Sequence, residues 1–247
     1  MLEFFKNRRT IRDYSDKDVP EYLLNELLSC ACRASTLGNM QLYSIIITRS
    51  TEMKEKLAPA HFNQPMIKQA PVVLTFCADY NRTIKWCEQR QAEPGYDNFQ
   101  SFIGAMSDVL IAAQAFCDAA ESQGLGICYL GTTTYNASQI IEILHLPRRV
   151  VPVITITVGF PASLPEQVER LPLDAVVHHE SYQDYTPELI DLYYTGKENL
   201  PANKGFVKEN NKETLAQVFT DVRYPKDNNE FFSKMFLDVL RSQGFLD

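Results

Sequence analysis

Three guanidiniums fall within five residues near the start of this chain, in Arg8-Arg9-Thr10-Ile11-Arg12. The chain as a whole carries a formal net charge of −7, so a basic cluster needs a local reason. Guanidinium is planar, permanently charged and able to fork onto phosphate with two parallel hydrogen bonds. Thr10 adds a hydroxyl donor inside the cluster. On spacing alone, anion binding competes with a solvated turn after Phe4-Phe5. Other donors extend the set. Asn39, Gln41 and Gln64 offer amides in loops at strand mouths. Gly131 allows a flat ligand to approach the backbone, and Arg170 lies in a later loop. None of these is a proton-transfer centre, so a cofactor must carry the chemistry at such a site.

Other chemistries lack their motifs. There is no Walker loop, no GxGxxG after a strand, no HExxH and no GxSxG elbow. Gly124-x-Gly126 follows a helical pattern, where capping accounts for it. The adjacent His178-His179 pair reads as exposed loop, and His61 and His145 have no partner spacing. The six cysteines show no CxxC pairing and read as free, mostly buried thiols in a reducing cytoplasm. The negative balance argues against a nucleic-acid surface. No unbroken run of about 18 apolar residues exists, so no membrane span is expected. The opening Met-Leu-Glu-Phe-Phe-Lys has no positive region leading into an apolar stretch, so no signal peptide is expected.

The elements that must position these donors follow from periodicity. With 247 residues, 45% hydrophobic and 22% charged, the chain can build a large core. Asp18 and Pro20 open a helix with its apolar stripe at Leu23, Leu24, Leu27, Leu28, Ala31 and Ala34. Strands are expected over 43–48, 71–78, 127–130 and 151–160, the second apolar on both faces and hence central. A short helix covers 51–57. The segment 81–97 reads as a polar, irregular excursion or lid. Phe99 to Gln123 is a helix apolar nearly all round, so either buried or shared between protomers. Asn136 with Gln139 caps a further short helix. From residue 161 the texture changes to short helices around 186–194, 212–219 and 228–243, with 196–212 a mobile loop rich in Lys, Asn and Glu. The element order gives an α+β or α/β domain.

The motif order resembles the nitroreductase family over nearly the whole chain. The residues that carry this are Arg8-Arg9-Thr10-Ile11-Arg12, Gly38-Asn39-Met40-Gln41, Gln64 to Arg82, Ala119 to Gly126 with Tyr129-Leu130-Gly131, Gly159-Phe160-Pro161-Ala162, and Arg170-Leu171-Pro172. The match is to the larger branch, with the oxygen-insensitive nitroreductases and flavin reductases. The resemblance implies an α+β fold in one domain over 1–247, with a C-terminal extension from 161 to 247. The sheet would be central, mixed but mainly antiparallel, flanked by helices and intertwined in a homodimer. It implies an FMN-dependent NAD(P)H oxidoreductase in the cytoplasm, passing two electrons in ping-pong order to nitroaromatics, quinones or free flavin. A dehalogenase-like relative of the same fold and a flavin store without turnover are the alternatives.

Carried over by residue, Arg8, Arg9, Thr10 and Arg170 would hold the phosphate. Arg12 would lie by the pyrimidine edge and stabilise the reduced ring electrostatically. Gln64 and the Thr36–Asn39 loop would line the ribityl chain and ring. The backbone of Tyr129, Leu130, Gly131 and Thr132 would run along the ring, with the Gly131 amide near N5. The branch often has a Lys two positions before the later Arg; this chain has Val168 there. Independently of the resemblance, Lys197, Lys204, Lys208 and Lys212 of the 196–212 segment read either as candidates for the NADPH 2′-phosphate or as a solvated loop whose lysines aid solubility.

Overall fold

A computed structural model describes residues 2–246, and the chain divides into two compact units, Met1–Glu166 with Phe232–Asp247, and Gln167–Phe231. The first unit is built on four strands, β1 (Tyr43–Thr48), β2 (Val72–Asp79), β3 (Gly126–Leu130) and β4 (Val150–Gly159). They pair in the order β1-β2-β4-β3, antiparallel at every described pairing. β2 and β4 are the central strands, and every residue of both is buried. That burial is the reason for their near-continuous Val, Ile and Ala content. Thr75, Thr155 and Thr157 lie fully buried among them. The fold is α+β, as expected, and the expected mixed sheet is antiparallel at each described pairing.

Helix α1 is Leu2–Lys6 and α2 is Glu21–Ala31, which buries Leu24, Leu27 and Ala31. Helices α3 (Thr51–Leu57) and α4 (Met66–Gln69) follow β1. The segment expected to be an irregular excursion contains α5 (Asn81–Gln89). Thr83 is buried, Ile84 and Cys87 are half-buried, and the Asp79 carboxylate accepts from the Arg82 N–H. A narrow apolar stripe and a carboxylate from the preceding strand on its first turn accompany this order.

Helix α6 (Phe99–Ser122) starts at Asn98, whose side chain accepts from Ser101 N, and ends before Gly124 at φ +76°. It packs on α2 and β2. Its length and a mean hydropathy of 1.4 would let it cross a membrane, contrary to the reading from unbroken runs, yet half of that stretch is buried inside this chain. Leu110 and Ile111 remain exposed on it. Helix α7 (Ala137–Ile143) follows Asn136, which does not cap it; the Asn136 amide instead donates to Ala60 O at 2.9 Å.

In the second unit the expected mobile loop is helical. Helix α8 (Pro187–Glu198) and α9 (Pro201–Glu209) each begin with proline at the first turn, and Thr186 caps α8. Lys and Glu favour helix on an exposed face as well as loops, and the prolines are the start signals that composition hid. Helix α10 (Leu215–Val218) carries a capping box between Thr214 and Gln217. Helix α11 (Lys226–Ser242) belongs to the first unit from Phe232 onward and ends before Gly244, at φ +81°.

Candidate functional site

The arginine segment is stitched to the sheet. The Ile11 N–H donates to Ile127 O at 3.0 Å, and the Tyr14 hydroxyl lies 3.0 Å from Ile11 O and 2.7 Å from Thr157 Oγ1. Burial pushes the Tyr14 phenol up, so it stays a neutral donor. Ile11 is buried and presses on Gly126, where a Cβ would sit 2.4 Å from Ile11 Cγ1. Gly126 is therefore a glycine because the arginine segment passes over it, and capping accounts only for Gly124.

With Ile11 pointing inward, its neighbours point out. One hollow brings together Arg8, Thr10 and Arg12 with Leu110 and Gln114 of α6 and Tyr129 of β3. Arg9 faces a second hollow, shared with Arg8 and lined by Asn7, Glu121 and Leu164 among others. Arg8 Nε pairs with Glu121 Oε2 at 3.1 Å. Burial raises the Glu121 carboxyl while Arg8 pulls it down. Desolvation thus outweighs the ion pair, as expected for a carboxylate with one cationic partner. Arg9 donates from Nη1 to Asn7 O at 3.3 Å, and its Nε is buried without a hydrogen-bond partner among the described residues. Arg12 is exposed and lies near Cys128, whose thiol burial raises and Arg12 lowers.

A second group of predicted residues sits on the loop after α2. Gly38, Asn39 and Gln41 all take left-handed backbone, at φ +54°, +57° and +53°. Three such residues in four are costly without support. The support is Asp108, on α6 and 1% exposed. Its carboxylate accepts from the Thr36 hydroxyl, from Leu37 N at 2.9 Å and from Leu42 N at 3.1 Å. The Thr36 hydroxyl also accepts from Gln41 N at 2.8 Å, so its donor role goes to α6 and its acceptor role to the loop. Asn39 is exposed, its carbonyl accepting from the Gln41 amide. Sequence reasoning missed Asp108; its signal is an acid at a core-facing position of an otherwise apolar helix.

The third group is a turn. Leu130 buries its side chain, leaving only its backbone to face a ligand. Gly131 to Thr133 form one 3₁₀ turn, and a Cβ on Gly131 would meet no protein atom within 4 Å. Thr132 Oγ1 lies 2.9 Å from Nδ1 of His61, which is fully buried and whose Nε2 has no partner among the described residues. Burial pushes the His61 pKa down to about 4, so the ring is neutral near pH 7. Gln64 follows the Pro59–His61 turn, its N–H donating to His61 O at 3.1 Å. His61 lacked partner spacing in the sequence, and its partner is 71 residues away.

Arg170 belongs to the second unit, exposed, with Nη1 donating to Glu169 O at 2.9 Å and to Val168 O at 3.3 Å. Within that unit Lys197 lies 3.6 Å from Glu169, and Lys212 lies 2.9 Å from Asp221. Arg223 rests over the Phe206 and Phe219 rings, at 4.6 and 5.0 Å from their centroids.

The nitroreductase family model matches residues 5–160, the stretch holding every strand and the first three groups above. An FMN reductase (NADPH) of Bacillus subtilis is 33% identical over 189 residues, covering 76% of each chain. An oxygen-insensitive NADPH nitroreductase of Salmonella typhimurium is 31% identical over 192 residues, covering 78% of each. A solved structure from Bacteroides fragilis superposes with a TM-score of 0.98 at 60% identity, over 99% of this chain and 100% of that one. The sheet order, the stitched arginine segment and these likenesses agree, and the chain belongs to the nitroreductase family.

Proposed function

We propose that this chain is an FMN-dependent NAD(P)H oxidoreductase that reduces nitroaromatics, quinones or free flavin. The carrying observation is the hollow that sets Arg8, Thr10 and Arg12 against Tyr129. Its relatives' names supply the cofactor and reductant: one is an FMN reductase (NADPH), another an NADPH nitroreductase. The residues fit a flat, phosphate-bearing ligand. Arg9 Nε is a buried donor without an internal partner, and the Gly131 face is open. A buried unpaired donor costs roughly 1–3 kcal/mol, which a phosphate oxygen would recover.

Bound FMN supplies a two-electron carrier that NAD(P)H and the acceptor meet in turn, in ping-pong order. The chain's own groups bind and orient. Arg8, Arg9 and Thr10 would hold the phosphate, and Arg170 is a candidate on its sequence position alone. Arg12 sets positive charge beside the pyrimidine edge. Gln64 and the Thr36–Asn39 loop line the ribityl chain and ring, and the Tyr129–Thr132 backbone runs along the ring. No acid–base pair is required of the protein.

The functional form is a homodimer in the cytoplasm. Leu110 and Ile111 are exposed apolar side chains on the core helix, and a second copy would cover them. Lys204 and Lys208 of α9 are the candidates for recognising a 2′-phosphate, since Lys197 and Lys212 are paired with carboxylates. Initial rates of NADPH oxidation at several quinone concentrations test the reading. Parallel double-reciprocal lines are expected; intersecting lines contradict the ping-pong order, and no oxidation contradicts the enzyme.

A further inference from the structure

His61 and Thr132 meet where two turns are strapped together. The Pro59–His61 turn and the Gly131–Thr133 turn are joined by His61 Nδ1 to Thr132 Oγ1 at 2.9 Å and by the Asn136 amide to Ala60 O at 2.9 Å. Phe62, at φ +54°, sets its ring edge-on to Tyr135 and Phe232, which stack at 4.4 Å. His61 is fully buried, so its ring cannot exchange Thr132 for water. The other ring nitrogen, Nε2, is buried and has no hydrogen-bond partner among the described residues.

That orphan nitrogen selects a tautomer. With the proton on Nε2, an N–H would be buried unsatisfied, and the Thr132 proton would be spent on Nδ1. With the proton on Nδ1, the orphan is a bare acceptor, and the Thr132 oxygen accepts while its own proton stays free. Unsatisfied buried N–H donors are the rarer and costlier kind. Thr132 is half-buried rather than sealed, and no other bond among the described residues uses its hydroxyl.

We propose that His61 is a positioning residue that donates from Nδ1–H to Thr132 Oγ1 and so presents the Thr132 hydroxyl as a donor to the cofactor at the Gly131–Thr132 turn. The inference rests on the flavin reading above. It makes the strap part of the cofactor site, since the ring fixes both the place and the polarity of a group lining it.

A double-mutant cycle tests it on the whole protein, read as the FMN dissociation constant by fluorescence titration. His61→Leu and Thr132→Val should each weaken FMN about 10-fold, the loss of one buried hydrogen bond. The double variant should bind no more weakly than either single one. His61→Asn, whose amide can stand near Nδ1, should recover most of the loss. Effects that multiply to about 100-fold, or an unchanged constant in His61→Leu, overturn the proposal. A parent that takes up no FMN overturns the cofactor reading, and this proposal with it. Should His61→Leu fail to fold, imidazole ¹⁵N shifts of the parent decide: a proton on Nδ1 is expected, and a proton on Nε2 contradicts the proposal.

Discussion

Asp108 in the first unit and Arg223 in the second are both charged side chains that hold a segment in place, by opposite means. Asp108 is sealed inside, and three donors of the 36–42 loop converge on it. Arg223 lies over two aromatic rings in a unit whose buried described residues are Ala175, Leu215 and Val218 alone. A buried carboxylate tolerates no vacancy, because each abandoned donor keeps its desolvation cost. A cation on an open aromatic face loses little when removed, because water replaces it. The first arrangement suits groups that must hold a cofactor to within fractions of an ångström. The second suits a surface met by a transient ligand. The family match follows the same division, covering residues 5–160 and not the second unit.

The sharpest break in that comparison comes at Asp108. Asp108→Ala should cost about 3 kcal/mol or more in urea unfolding, through three donors left in a closed space. A cost near that of Arg223→Ala would remove the distinction between the units. His61 gives nearly as large an effect, as a function of pH. The unfolded chain takes up this proton near the ordinary value of about 6.5, and the folded one not until about 4. Its contribution is therefore intact above pH 6.5 and lost as pH falls towards 4, at up to about 1.4 kcal/mol per pH unit. Unfolding free energies of the parent and His61→Asn over that range should converge in acid; parallel curves would contradict this.

Next in size is Arg9→Ala, expected to weaken FMN by about 1.5–3 kcal/mol, or roughly 10- to 150-fold, with unfolding little changed. Arg223→Ala should cost about 0.5–1 kcal/mol, seen as faster amide exchange within 201–224 only. The smallest effect belongs to Lys204→Gln with Lys208→Gln. The ratio of kcat/KM for NADPH to that for NADH should fall a few-fold, and less at high salt, since lysine acts here as a point charge. An unmoved ratio transfers the selectivity to other cations.

The sequence was readable where burial sets the pattern. Leu24, Leu27 and Ala31 announced α2, the unbroken apolar run of β2 announced a central strand, and Asn98 and Gly124 bracket α6. It was misread where order comes from outside the segment. The stripe of α5 is short, and the carboxylate that accepts from its first turn, Asp79, belongs to a strand. Helices α8 and α9 bury no side chain, so their composition looked like loop. For the site, local motifs pointed to Arg8–Arg12 and to Gly131. Asp108 and His61 act on residues 66 to 72 positions away, and no spacing rule links such pairs. Gly126 looked like a cap because the side chain it accommodates, Ile11, lies 115 positions earlier in a segment with no periodicity of its own.

The claim that the arginine segment and its neighbours hold a flavin by its phosphate is met most directly by titrating cofactor-free protein with FMN and, in parallel, with riboflavin. The account predicts about one FMN per chain and a riboflavin affinity lower by about 100-fold or more, the loss of several charged hydrogen bonds. Equal affinity for the two, or no binding of either, would contradict it.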